Sequence, residues 1–437
     1  MKHVMIFLML FGAFHSWPHA QTADIERSVT VARSVTVTVM ECYEAAREVY
    51  PLVRRYDLIA RTEGFDVSNA AKGFLPQVAI GARATYQSEV TSLPIDASLI
   101  PGLTIPTVSK GQYQVSAELT QTVWDGGLTA SGMALAHAKA DVERRGLESE
   151  LYALRERVNG VYFGCLLYDE LIRQNDLLKR ELGVSLRRVE AMMDSGLAGA
   201  PDREAVEVEI LKAGQREAEL IAVRRAYLAV LCVLTGRDAG DTLVLTVPVM
   251  PAASLVYDVR RPELSAFDAL DAMADVEGRI SYAALMPRLG LFVQGGYGRP
   301  GLNMLDDSFR PFYMAGVRLS WKLPYTYSND RRRIEASRQV TAARRDAFLF
   351  NTSLDIVMRS AGIEKIRKQL DSDDDILRLR SSIRQAAEVR LENGVISASD
   401  LVGFINAEDI ARQSAATRRI QLLEAIYDLM YVTDNDQ

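Results

Sequence analysis

Histidine is nearly missing from this sequence. Three of its four histidines (His3, His15 and His19) fall in the first twenty positions, leaving His137 alone in the rest of the 437 residues. One histidine on a long helical stretch reads as a surface or packing residue, so histidine-based catalysis and histidine-clustered metal sites drop out. Cysteine is scarce too: Cys42, Cys165 and Cys232 sit inside helical patterns, odd in number and without CxxC spacing. They read as small buried apolar residues rather than a disulfide framework. Positive charge is not in excess. The formal net charge is −6, and no basic run carries interleaved aromatics, which argues against a nucleic-acid partner. There is no GxSxG nucleophile motif and no phosphate loop. The chain therefore reads as a non-enzyme, with no cofactor and no metal.

What is present starts with Lys2 and an apolar run, VMIFLMLFGAF (4–14). Its length is too short for a spanning helix and suits a secretory signal peptide over 1–20, with Ala20 at the cleavage position and Pro18 a poor residue two places earlier. A membrane-anchored N-terminus is the alternative. No cysteine follows the run closely, which argues against a lipid anchor. Apolar residues make up 48% and charged residues 25%, enough for both a core and a wet surface.

The stretch GFLPQVAIGARATY (73–86) interrupts a helical pattern that runs over about 40–72. After Pro76, Val78, Ile80, Ala82, Ala84 and Tyr86 alternate with Gln77, Ala79, Gly81, Arg83 and Thr85, as in a strand with one apolar and one polar face. ALMPRLGLFVQGGY (284–297) repeats the motif with the same Pro-to-Tyr spacing. Alternation predicts four strands, at 76–88, 113–124, 287–297 and 313–323, with Arg83, Glu118, Arg318 and Lys322 on their polar faces. Between them lie helical stretches at 128–235, 264–285 and 328–432. The organisation read from this order is a leader (1–20), an N-terminal segment and first helix (21–75), a strand pair (76–124), a long helix pair (125–236), a linker (237–263), a helix (264–285), a second strand pair (286–324) and a second long helix pair (325–437). Each half thus runs helix, strand, loop, strand, long helix pair, an internal two-fold repeat.

Leu147, Leu151, Leu154, Val158, Val161, Cys165, Tyr168 and Ile172 step by four and three, as a coiled-coil seam does. From about 130 to 193 no strong stop appears, so the rod approaches ~95 Å, too long for a compact domain. Both long regions break once, at MDSGLAGAPDRE (193–204) and LENGVISASDL (391–401), and in each a Gly precedes an Asp by six residues. These read as two hairpin tips. Four strands with an apolar face need partners, and in lipid an open sheet leaves unpaired edges, so a spanning sheet must close. Single-chain barrels start at about eight strands of ~9–11 residues. Two chains would supply eight strands and three would supply twelve, and the residues alone do not choose.

In this order the chain resembles the outer-membrane efflux protein family, the TolC-like channels. The resemblance is carried by EAAREVYPLVRRYDLIARTEGFDVSNAAKGFLPQV (44–78), LTQTVWDGG (119–127), the tips SGLAGAPD (195–202) and NGVISASD (393–400), and RRPEL (260–264). It implies an α+β membrane protein: a homotrimer with a twelve-stranded transmembrane β-barrel in the outer membrane of a Gram-negative bacterium, and a long α-helical coiled-coil barrel across the periplasm. It further implies docking to a periplasmic adaptor coupled to an inner-membrane pump, and passive conduction as the exit duct of a tripartite efflux pump or a type I secretion system. Carried over residue by residue, Gly196, Leu197, Gly394 and Val395 are expected at the adaptor contact. Asp202, Asp400, Leu391 and Ile396 are expected near the tip constriction. Leu391 stands where family members carry an aromatic gate residue and Ile396 where they carry an arginine, so a hydrophobic constriction or a different ion pair is expected to replace the family's lock. Both aspartates equally suit helix N-capping.

The acidic run DSDDD (371–375) lacks the glycine and terminal glutamate of a calcium loop, and reads as a solvated helix face or a local unwinding. A second functional reading, a coiled-coil envelope rod anchored by a barrel and without transport, would place its strands together at one terminus. Here they are interleaved with helices.

Overall fold

The computed structural model describes residues 34–91, 108–238, 242–250 and 258–434. The expected leader and most of the loop between the first two strands lie outside them. Strand β1 (Ser34–Val37) leads into α1 (Val39–Val49), whose start is closed by a reciprocal cap. Glu41 N donates to Thr38 Oγ1 at 3.3 Å, and Thr38 N donates to the Glu41 carboxylate at 2.8 Å. Pro51 then interrupts the helix read over 40–72. Tyr50 before it is extended, a single 3-10 turn spans Pro51–Arg54, and α2 runs Arg55–Ala71. Proline lacks the donor N–H and pushes the preceding residue out of the helical region, which accounts for the break.

Strands β2 (Gln77–Tyr86) and β3 (Gly111–Trp124) are followed by α3 (Leu128–Tyr152) and α4 (Leu154–Asp194), then by α5 (Ala200–Thr235). Only Ala153, itself in helical conformation, separates α3 from α4, so the rod is nearly continuous over about 100 Å. A short β4 (Thr242–Leu245) lies in what the pattern read as linker. It pairs in parallel with β1, Ser34 opposite Thr242 through Val37 opposite Leu245. The second half comprises α6 (Pro262–Ala283), β5 (Arg288–Arg299), β6 (Arg310–Ser320), α7 (Tyr327–Glu392) and α8 (Ala398–Thr433). With 66 residues, α7 extends about 99 Å. It stays helical through 371–375, which removes the unwinding alternative there.

The four longer strands form one antiparallel sheet in the order β2-β3-β5-β6. The register keeps faces together: Val78, Leu119, Val293 and Ala315 form one row, and Ala79, Glu118, Gln294 and Met314 the next. The helices beneath repeat the order, α2 against α3, α3 against α6, and α6 against α7. Further along, α4 packs between α5 and α8, and α8 against α7. Among the described residues both layers are open, with β2 and β6 as the edges of one and α5 and α7 as outer helices of the other.

Core residues collect along the helices. One cluster joins Val37, Cys42, Val158, Tyr162, Phe163, Cys165, Leu231, Cys232 and Leu243 where β1 and β4 cross α4. The Tyr162 hydroxyl stands 3.0 Å from the Val37 carbonyl and 2.7 Å from that of Thr246, tying both short strands to the rod. All three cysteines are buried, and burial raises the thiols of Cys42 and Cys165 to about 11 and about 12. His137 meets Glu63 at 2.7 Å, joining α3 to α2.

Candidate functional site

At the two hairpin ends, Met192 through Leu197 and Arg390 through Val395 adopt the same cap. Gly196 N donates to Met193 O at 2.9 Å and Leu197 N to Met192 O at 2.8 Å; Gly394 N donates to Leu391 O and Val395 N to Arg390 O, each at 2.9 Å. This pair of hydrogen bonds requires a left-handed residue at its bend, and Gly196 (φ 73°) and Gly394 (φ 67°) supply it. A Cβ at either glycine would meet no neighbour, so backbone conformation alone selects glycine. The cap throws the next residue outward: Leu197 is 65% and Val395 61% exposed. The four residues expected at the adaptor contact therefore form two matching knobs at one end of the rod.

The constriction candidates separate. Leu391 is only 3% exposed and packs with Val189, Met192, Leu401 and Ile405 inside the protomer. That position leaves it almost no surface to face a channel axis. Ile396 is half-buried against the same cluster. Asp400 caps α8: Ser397 N donates to its Oδ2 at 3.0 Å and Ser397 Oγ at 2.7 Å, while Asp400 N donates back to Ser397 Oγ at 3.2 Å. These bonds to Ser397 hold its carboxyl below the usual carboxylate range. Asp202 does more than cap. Its Oδ2 accepts from Gly199 N at 3.1 Å at the start of α5, and its Oδ1 accepts from Ala398 N at 3.2 Å at the start of α8. One carboxylate thus serves the positive ends of two helices and binds one tip to the other.

Sequence reasoning missed the polar belt behind the tips. Glu408 of α8, 2% exposed, is held by Arg384 of α7 and Arg412 of its own helix. Arg412 reaches Glu181 of α4 at 2.7 Å, and Arg384 pairs with Glu388. Buried Asp409 accepts from Gln413 Nε2 at 2.6 Å, and Gln413 in turn accepts from Arg216 of α5. Burial raises the Asp409 carboxyl. The available signal was polar residues at seam spacing (Glu408, Arg412) where a coiled coil wants apolar ones. In the acidic run, Arg418 takes Asp373, Arg419 takes Asp374 at 3.2 Å, and Arg378 takes Asp375 at 3.0 Å. Asp373 is buried rather than solvated.

On the sheet, alternation puts Arg83, Glu118 and Arg318 on one polar face. Arg318 Nη1 stands 2.9 Å from Glu118 Oε1 as an ion pair, and its guanidinium lies 4.6 Å over the Phe292 ring. Arg83 lies apart from them, and Lys322 falls beyond the end of β6. The opposite face is apolar and bare: Ile80 is 79% and Val317 65% exposed.

No protein-family model and no curated protein matches the chain by sequence. Solved structures do match. The outer membrane protein VceC from Vibrio cholerae aligns with a TM-score of 0.65 at 12% identity over 90% of this chain and 95% of its own. CusC, whose structures concern folding and transmembrane channel formation, aligns at 0.65 and 12% over 90% and 91%. The open MtrE outer membrane channel of Neisseria gonorrhoeae aligns at 0.60 and 16% over 96% and 97%. The chain has the fold of the TolC-like outer-membrane channels. Among the described residues no helix is long and apolar enough to cross a membrane.

Proposed function

We propose that this chain is the outer-membrane exit duct of a Gram-negative export assembly, acting as a homotrimer of two-fold repeated protomers. One observation carries the reading: a four-stranded sheet with an exposed apolar face, a polar face behind it, and both edges unpaired among the described residues. Water penalises the bare face, and lipid penalises the bare edges, so only a closed barrel satisfies both. Strand directions alternate from β2 to β6, so β6 of one copy meets β2 of the next antiparallel and the ring closes without a mismatch. Three copies give twelve strands.

The helices support the same closure. On α7, Phe350, Leu354 and Val357, and again Ile376, Leu379 and Ile383, are exposed at coiled-coil spacing. On α5, Val208, Leu211, Val230 and Val233 are exposed as well. These two helices border the layer, so an α5–α7 seam between copies buries both stripes. The knobs Leu197 and Val395 then ring the far end of the tunnel, where a periplasmic adaptor would dock and connect it to an inner-membrane pump. Conduction is passive, with energy supplied by the pump, and efflux and type I secretion use the same duct.

The test is direct. Purified in detergent, the protein should run as a trimer and give a small, mostly closed conductance in planar bilayers. Replacing Gly196 or Gly394 by Val should abolish export while the protein still reaches the outer membrane. A monomer soluble without detergent would sink the duct, and undiminished export in both glycine variants would remove the docking role.

A further inference from the structure

The four sheet strands carry five arginines, one glutamate, no lysine and no aspartate. They are net positive in a chain whose formal charge is −6. The register sorts these charges. Arg83 stands in one row with Gln114, Gly298 and Arg310; Arg318 pairs with Gly290, and Arg288 with Ser320. These four arginines and Glu118 share the polar face, whereas Arg299, opposite Tyr113, lies on the other. Three of the five arginines are neutralised: Arg299 by Asp307, Arg310 by Asp306 at 2.6 Å, and Arg318 by Glu118. Arg83 and Arg288 are exposed and have no carboxylate partner among the described residues.

If the polar face lines the lumen, as the proposed duct requires, each copy adds two uncompensated guanidiniums to a narrow wet bore with low-dielectric walls. Such walls focus the field of fixed charges and raise the local concentration of counter-ions. Arginine keeps its charge at every physiological pH. We propose that the barrel section of the duct favours anionic over cationic solutes, and that Arg83 and Arg288 set this preference. The inference rests on the duct reading and adds to it the charge class that passes most readily.

Because the native cysteines are all buried, one introduced thiol reports on the lumen. Ser116→Cys suits the purpose: it is on the polar face, opposite Gly81 and Gly296, where neither neighbour has a side chain to cover it. Membrane-embedded protein is treated with an anionic or a cationic methanethiosulfonate, each rate divided by that reagent's rate with a free thiol in solution. The anionic reagent should win by about tenfold at low salt. The ratio should fall toward one in Arg83→Gln/Arg288→Gln and stay high in Arg83→Lys/Arg288→Lys. An equal or cation-favouring ratio, or a ratio that the glutamine pair leaves unchanged, overturns the anion preference but leaves the duct standing. A thiol at 116 that reacts with neither reagent, while Ala117→Cys on the opposite face reacts with both, overturns the duct and the inference together.

Discussion

The sheet and the helical hairpins follow opposite rules within one chain. Along α4 and α8, apolar residues turn inward: Leu182, Val189, Leu401 and Ile405 are fully or nearly fully buried. On β2 and β6, residues of the same kind, Val78, Ile80, Val317 and Leu319, face outward and are exposed. In the hairpins, charge is drawn into the interior, as at Glu408 and Asp373; in the sheet all of it but Arg299 is gathered on one accessible face. A single solvent cannot favour both arrangements. The hairpins follow the rule of a water-soluble bundle, and in the proposed duct the sheet's apolar face would meet hydrocarbon and its polar face water.

The most damaging way to test this contrast is to take the centre out of the polar belt. Glu408→Ala removes the buried carboxylate shared by half-buried Arg384 and Arg412 and should cost about 3–5 kcal/mol, read as a lowered thermal midpoint of the detergent-solubilised protein. By contrast, Asp375→Ala, which releases only the exposed Arg378, should change the midpoint by less than about 1 kcal/mol equivalent. Next in size is a charge placed on each face of the sheet. Val317→Arg on the apolar face should cost about 2–4 kcal/mol and reduce the heat-stable oligomer recovered from membranes. Ser116→Arg on the polar face should assemble normally. Equal damage from both would erase the distinction between the faces.

Smaller again is the glycine comparison. Gly394→Ala forces a Cβ into left-handed backbone and should cost about 1–2 kcal/mol of tip stability, seen as faster amide exchange over 390–400. Gly81→Ala, in extended strand with open space around it, should be neutral. The least effect comes from pH, and two carboxylates should show it with opposite sign. Asp400 has a lowered pKa in the fold, so its contribution is present above the ordinary carboxyl range and is lost as pH falls through the lowered value. Asp409 has a raised one, so its contribution is full in acid and is lost as pH rises through the raised value. Asp400→Asn should therefore flatten the acid side of a stability–pH curve, and Asp409→Asn the side toward neutrality.

Some of this was plain from residue order. Strand alternation around Val78 and Val317 gave the faces, because a period of two has no rival explanation. Gly196 and Gly394 marked the tips, because few other signals end a long helix so sharply. Pro51 was visible in the sequence, yet its flanking helical pattern concealed that it divides α1 from α2. The β1–β4 pair was hidden because four-residue strands such as TLVL carry too few alternations to register. The Asp202 bridge joins residues nearly two hundred positions apart in sequence, and no local pattern reports it. The inward turn of Leu391 is hidden for the same reason: it depends on how α7 packs with α4 and α8.

The central claim is that the backbone edges of β2 and β6 are sealed by neighbouring copies. Hydrogen exchange on membrane-embedded protein measures that directly, amide by amide. The account predicts protection over 78–84 and 312–319 equal to that of the inner strands β3 and β5. Rapid exchange along both edges, with β3 and β5 protected, would mean that the sheet stays open and the duct does not exist.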